Sequence, residues 1–250
     1  MKQKLFIPFI TAGDPDIETT EKLVYALEKA GADMIELGIP FSDPIADGPV
    51  IQEAHNRALT AGTTLIKIIN LVKQIRKKSN IKLLFMMSYN SIIQYGEDKF
   101  IKDISAINLY GLVVPDLPFE SSNNLRKKLK TTNIHFINFI APTTHQNRIT
   151  KIAKASSGFI YLISTTGVTG VRKNNNQENL SSLITQIKKH TKTPICIGFG
   201  IGDTISAKKA AAISDGIIVG SAIINLIKQH KKASIKPVNK FAKTIKDAIK

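Results

Sequence analysis

Met34-Ile35-Glu36-Leu37-Gly38-Ile39 runs directly into Pro40-Phe41-Ser42-Asp43-Pro44-Ile45-Ala46-Asp47-Gly48-Pro49. The first segment is a short apolar run broken by one carboxylate. The second is stiff and polar, with three prolines and two aspartates. A buried strand that ends abruptly in a turn-rich loop fits this pattern. Seven more short apolar runs recur along the chain: Leu5–Ile10, Ile81–Met87, Leu112–Val114, Ile134–Ile140, Phe159–Ile163, Ile195–Ile197 and Ile217–Val219. They are too short for buried helices and suit parallel strands covered on both faces. Between them, apolar residues keep a helical spacing, as in Leu23, Val24, Leu27 and Ala30, or Leu65, Ile68, Ile69, Val72 and Ile75. The spacing also predicts a last helix through Ile235, Val238, Phe241, Ile245 and Ile249. Eight strand–helix units in 250 residues predict an α/β protein, a single (β/α)8 TIM barrel spanning residues 1–250 as one domain. An open doubly wound sheet is the alternative, but it needs fewer strands and a topological switch.

Composition narrows the function classes. No window is apolar for long enough to span a membrane. Leu5-Phe6-Ile7-Pro8-Phe9-Ile10 is short and lacks a small-residue cleavage site, so it reads as a strand and not a signal peptide. The single cysteine, Cys196, excludes an internal disulfide and a cysteine-built metal site, and suits a reducing cytoplasm. The net charge of +16 raises the question of nucleic acid. Only five of the 35 basic residues are arginine, however, and isoleucine appears 39 times against nine valines. Ile, Lys and Asn share A/T-rich codons, so compositional drift accounts for most of the lysine. No aromatic-interleaved basic strand and no Arg-rich helix supports a nucleic-acid partner. Residues 228–250 carry eight lysines and one acid, Asp247, and the lysines fall off the apolar stripe. They read as a solvated helix face.

In a barrel of this type the chemistry sits where strands end and loops begin. Five of 19 acids (Asp33, Glu36, Asp43, Asp47 and Glu53) fall between residues 33 and 53. Glu36 has apolar neighbours on both sides. A carboxylate there is paired, turned to solvent, or kept protonated by burial, and the last state makes a general acid near neutral pH. Asp47 follows eleven residues later, within reach of the barrel mouth. It is a turn former before Gly48 or the second of two carboxylates with divided roles. Three glycine clusters follow later strands: Gly167-Val168-Thr169-Gly170, Gly198-Phe199-Gly200-Ile201-Gly202, and Gly220-Ser221 before the short helical run Ala222–Ile227. Glycine admits close backbone approach, and a helix N-terminus offers N–H groups to an anion. The stretches 193–207 and 210–227 contain no lysine. A phosphate there would be held by backbone and not by salt bridges. The five histidines show no metal-ligand spacing and read as inert, and no metal or cofactor is expected.

Pro8–Pro15, Glu36–Gln52, Gly167–Gly170 and Gly198–Ile201 together resemble the tryptophan synthase α-subunit family. The similarity runs from about residue 4 to the end, and the long second motif is the most specific. It implies a (β/α)8 barrel that cleaves indole-3-glycerol phosphate to indole and glyceraldehyde 3-phosphate, in the cytoplasm, as part of an α2β2 complex with a β subunit. Carried over, Glu36 matches the catalytic acid. Asp47 matches the aspartate at the indole nitrogen, and Tyr161 a tyrosine near Glu36. Phe9, Met86 and Phe199 match apolar positions around the indole, Met86 being a variable one. Gly170, Gly200, Gly220 and Ser221 match phosphate-binding positions, and Thr169 a threonine that helps close the site. Asp116 matches the aspartate of a Pro-Asp-Leu-Pro segment at the subunit boundary. The family's usual short helix before the first strand, which caps the barrel floor, is expected to be missing. Competing readings are a regulatory subunit that binds the β subunit but has lost turnover, another phosphate-binding barrel enzyme, and a basic nucleic-acid binder.

Overall fold

The computed structural model describes residues 3–45, 47–163, 176–198 and 200–250, without the side chains of 176–178. Eight parallel strands close a barrel in chain order: β1 (Leu5–Thr11), β2 (Met34–Gly38), β3 (Lys82–Met86), β4 (Gly111–Val113), β5 (His135–Ile140), β6 (Ile160–Ile163), β7 (Ile195–Gly198) and β8 (Gly216–Val219). Each apolar run read from the sequence lies within one residue of its strand at either end. Ring closure is a parallel pairing of β1 with β8, Leu5 opposite Gly216 and Pro8 opposite Val219. The strands alternate faces. Ile7, Met34, Leu84, Val113, Ile137, Tyr161 and Ile218 belong to one buried cluster inside the ring. The intervening Ile10, Ile35, Leu37, Leu83 and Phe85 pack outward in the larger core shared with the helices.

The helices among the described residues are α1 (Ile17–Lys29), α2 (Pro49–Thr60), α3 (Leu65–Ile75), α4 (Tyr89–Tyr95), α5 (Glu97–Ala106), α6 (Asn123–Leu129), α7 (Gln146–Ala155), α8 (Asn176–Lys188), α9 (Thr204–Ile213), α10 (Ser221–His230) and α11 (Ile235–Ala248). Among the described residues, two of the strand-to-strand excursions, β2 to β3 and β3 to β4, thus carry two helices, and two more helices follow β8. Local signals start several of them. Asp16 accepts the Thr19 N–H at 2.7 Å ahead of α1. Asp203 and Ser206 form a reciprocal capping box on α9. Pro49 opens α2, where its missing N–H costs no hydrogen bond. The helical run expected over Ala222–Ile227 is longer, because its apolar face continues onto the core through Ile223, Ile224 and Ile227 and nothing breaks the pattern before Lys231.

One lysine of the last helix departs from the solvated face expected of it. Lys246 is 4 % exposed. Its Nζ donates to Asp33 Oδ2 at 2.7 Å and to the Lys4 carbonyl at 3.0 Å. Asp33 also accepts the Phe6 N–H at 2.7 Å. The charge is tolerated because every contact it makes is to an acceptor. The same pairing places Asp33 at the N-terminal end of β2, away from the barrel mouth. Glu53 lies on exposed α2, paired with Lys228 of α10. The acidic cluster of the sequence therefore divides, and Glu36, Asp43 and Asp47 remain at or near the C-terminal end of β2.

Candidate active site

Glu36 occupies the middle of β2, opposite Phe9 of β1 and Leu84 of β3. It is 1 % exposed, and among the described residues neither carboxyl oxygen has a hydrogen-bond partner. Of the states open to it from sequence, pairing and solvent exposure are both absent. Burial pushes its pKa up to about 8, and the neighbouring Asp47 charge adds to the shift. The group is therefore a neutral acid at pH 7. Tyr161, on β6, is also buried, and burial with the charges of Glu36 and Asp47 holds its phenol well above its ordinary value.

Two strand glycines make room for the rings around this acid. A Cβ on Gly38 would stand 2.5 Å from Phe9 Cζ, and one on Gly198 would stand 2.4 Å from Tyr161 Cε1. Only a residue without a side chain lets these rings lie across the barrel mouth. Phe9 is 3 % exposed, and Met86 is half-buried.

Asp47 ends the proline-rich loop, two residues before α2. Its N–H donates to the Pro44 carbonyl at 3.0 Å, and its own carbonyl accepts Gln52 Nε2 at 2.8 Å. Its side chain is 11 % exposed. Two adjoining cavities of ≈ 820 and ≈ 1310 Å³ share Phe9, Asp47 and Met86 as walls. The first extends past Phe41, Met87 and Ser88 toward Asp116. Asp116 accepts the Ser88 hydroxyl at 2.7 Å and the Tyr89 N–H at 2.9 Å, so it ties the loop after β4 to the start of α4. The second cavity reaches Tyr161, Gly200, Gly202, Gly220, Ser221 and Asn225. Gly220 is the N-cap of α10 and offers no capping side chain, and its carbonyl takes the Ile223 and Ile224 N–H groups, so those of Ser221 and Ala222 are the ones turned to a ligand. Among the described residues no lysine or arginine lines this cavity.

The structure thus brings together Phe9, Glu36, Asp47, Met86, Tyr161, Gly200, Gly220 and Ser221. Thr169, Gly170 and Phe199 lie outside the described residues. Asp14, which sequence position alone would select, is 1 % exposed and bound bidentately by Arg57 at 2.8 and 2.7 Å, a tie between the first loop and α2. Two residues escaped the sequence reading. Asn225 is one such wall residue, one turn after Ser221. The other is His55, buried on α2, whose Nδ1 accepts the Phe41 N–H of the loop that carries Asp47. Its signal was its place on the first two turns of the helix that follows Asp47. Among the described residues, no group of three or more His, Cys, Asp or Glu could hold a metal.

The whole chain, residues 1–250, matches the family model described as tryptophan synthase alpha chain. The chain belongs to the tryptophan synthase alpha chain family. A tryptophan synthase alpha chain from Lacticaseibacillus casei is 45 % identical over 246 residues, 98 % of this chain and 92 % of the relative. One from Geotalea daltonii is 44 % identical over 249 residues, 100 % of this chain and 93 % of the relative. Among solved structures, the alpha subunit from Legionella pneumophila str. Paris aligns at a TM-score of 0.89 and 34 % identity, covering 98 % of this chain and 92 % of that one. As a tryptophan synthase alpha chain it is a carbon–carbon lyase of tryptophan biosynthesis, acting on indole-3-glycerol phosphate.

Proposed function

We propose that residues 1–250 act as one domain in which Glu36 and Asp47 divide the cleavage chemistry. Retro-aldol cleavage without a Schiff base needs a proton delivered to the indole ring carbon and a negative charge near the ring nitrogen. Glu36 supplies the proton: it is neutral at pH 7, desolvated, and among the described residues free of any partner that would hold the proton back. Asp47 accepts the ring N–H and stabilises the cationic tautomer that forms once the ring carbon is protonated. Phe9, Met86, Tyr161 and Phe199 surround the indole. Gly170, Gly200, Gly220 and Ser221 hold the phosphate through backbone N–H groups and the α10 dipole, and Thr169 helps to close the site. The bond between ring carbon and glycerol chain then breaks, its electron pair returns to the ring to leave indole, and the hydroxyl on the released carbon gives its proton to the Glu36 carboxylate as the fragment leaves as glyceraldehyde 3-phosphate.

The partner is the tryptophan synthase β subunit, in an α2β2 tetramer, with Asp116 at the boundary. Among the described residues no helix is long and apolar enough to cross a membrane, and we place the protein in the cytoplasm. The observation that carries the mechanism is the unpartnered, buried Glu36. The deciding assay is indole release from indole-3-glycerol phosphate by the purified chain, with and without the β subunit. Release in either condition is expected. A chain that raises β-subunit turnover yet never releases indole would be a regulatory subunit instead.

A further inference from the structure

The loop that carries Asp47 is held to α2 by two side chains on one helix face, Gln52 and His55. Gln52 takes the Asp47 carbonyl. His55, 5 % exposed, takes both ends of the loop at once. Its Nδ1 accepts the Phe41 N–H at 3.0 Å. A ring nitrogen that accepts carries no proton, so the ring proton is on Nε2. Nε2 stands 3.4 Å from Asp47 Oδ2, a close contact longer and less aligned than a hydrogen bond. A histidine kept only for volume would have no reason to place both ring nitrogens on the two ends of one loop.

We propose that His55 is a positioning residue for the cleavage reaction. It packs against Oδ2 of Asp47, fixes where that carboxylate sits, and leaves Oδ1 for the ring N–H of the substrate. The inference rests on the reading of Asp47 as the ring-nitrogen acceptor. His55 touches no reacting atom, so its effect passes through Asp47 alone.

Two isosteres separate its two contacts. In His55→Asn the amide oxygen falls near Nδ1 and can accept from Phe41, but the side chain is too short for Asp47. In His55→Gln the amide nitrogen reaches the Nε2 position and can donate to Asp47. Steady-state indole release is measured for both in the full chain with its β subunit, beside thermal unfolding and glycerol phosphate binding. His55→Asn should lower kcat about tenfold as Asp47 loses the contact that fixes its place, with KM and glycerol phosphate binding within about twofold. His55→Gln should recover kcat to within about threefold of the parent. In an Asp47→Asn background, His55→Asn should add less than about twofold, because its target is gone. A parental kcat in His55→Asn overturns the inference, as does the same tenfold loss in the Asp47→Asn background. Should His55→Asn not fold, a His55→Gln as impaired as Asp47→Asn overturns it equally. If Asp47→Asn itself keeps the full rate, the reading of Asp47 fails and the inference falls with it. If Asp47→Asn is impaired and His55→Asn is not, only the inference fails.

Discussion

Glu36 is a single carboxyl whose environment and chemistry are the same fact. Its burial without a partner is unfavourable for the anion, which is why it keeps a proton that an exposed glutamate would lose. Two consequences can be measured. Glu36→Gln keeps the shape and removes the transferable proton, so indole release should fall by about 10²–10⁴, while glycerol phosphate binding stays. Comparable turnover in this variant would move the acid's role to Asp47. Stability should respond as well. Below the ordinary value of 4.5 the group is neutral in both folded and unfolded chains. As pH rises from there to about 8, the unfolded chain releases the proton and the folded chain keeps it. The folded state therefore loses stability across that window, by at most about 1.4 kcal/mol per pH unit, and the slope vanishes above it. Glu36→Gln removes this contribution. Its thermal midpoint should match the parent near pH 4 and rise above it progressively toward pH 8. A constant offset at every pH would show that the carboxyl is not desolvated as described.

At the scale of elements, the proposed reaction gives the binding to strand ends and helix starts. Gly220 has φ −114°, which any L residue adopts, and a Cβ there would meet Phe9 at an ordinary 3.5 Å. Gly220→Val should thus fold, yet place methyl groups against the N-terminus of α10. We expect KM for indole-3-glycerol phosphate to rise at least about tenfold, equivalent to about 1.4 kcal/mol of lost binding, with kcat less affected. Normal glycerol phosphate affinity in this variant would move the phosphate elsewhere. Gly200 is a poorer probe, since its φ of +75° would strain any replacement regardless of ligand. Gly198 tests the packing of the opposite wall. A methyl group there overlaps the Tyr161 ring, and Gly198→Ala should destabilise by about 1–3 kcal/mol in urea unfolding. Unchanged stability would mean that Tyr161 moves aside without cost.

For the whole molecule, a barrel must close, and chain ends far apart in sequence do the closing. β1 pairs with β8, and Lys246 of α11 reaches Asp33 and the Lys4 carbonyl beneath them. Asn239 of α11 donates to the Ala26 carbonyl of α1 at 2.6 Å, which adds a second tie across the same seam. Lys246→Met keeps the length of the side chain but strands Asp33 and one backbone acceptor, the Lys4 carbonyl. We expect a loss of about 2–3 kcal/mol by urea unfolding, below the full cost of a buried pair because Asp33 is partly exposed. Indole release at low temperature should be unchanged, since the seam lies at the opposite end of the barrel from the acid. A large fall in kcat with unaltered stability would overturn this division between floor and mouth.

Strand positions, the core helices and the residues of the active-site motifs were legible in the sequence because they are local. An apolar run, a cap, a Pro-Asp turn and a glycine before a helix each announce themselves within a few residues. Family resemblance added roles to Glu36 and Asp47 that spacing alone left open between chemistry, pairing and solvent. What no local pattern contains is which distant group meets which. Lys246 looked like one more surface lysine until the fold set Asp33 beside it, 213 residues away. Asp33 and Asp47 looked like members of one acidic cluster until strand direction put them at opposite ends of β2. His55 has no ligand spacing, and only the docking of α2 against the barrel shows that its two ring nitrogens address Phe41 and Asp47. The state of Glu36 is likewise tertiary: a glutamate's sequence neighbours suggest burial, but that its oxygens find no partner among the described residues depends on the strands closing around it.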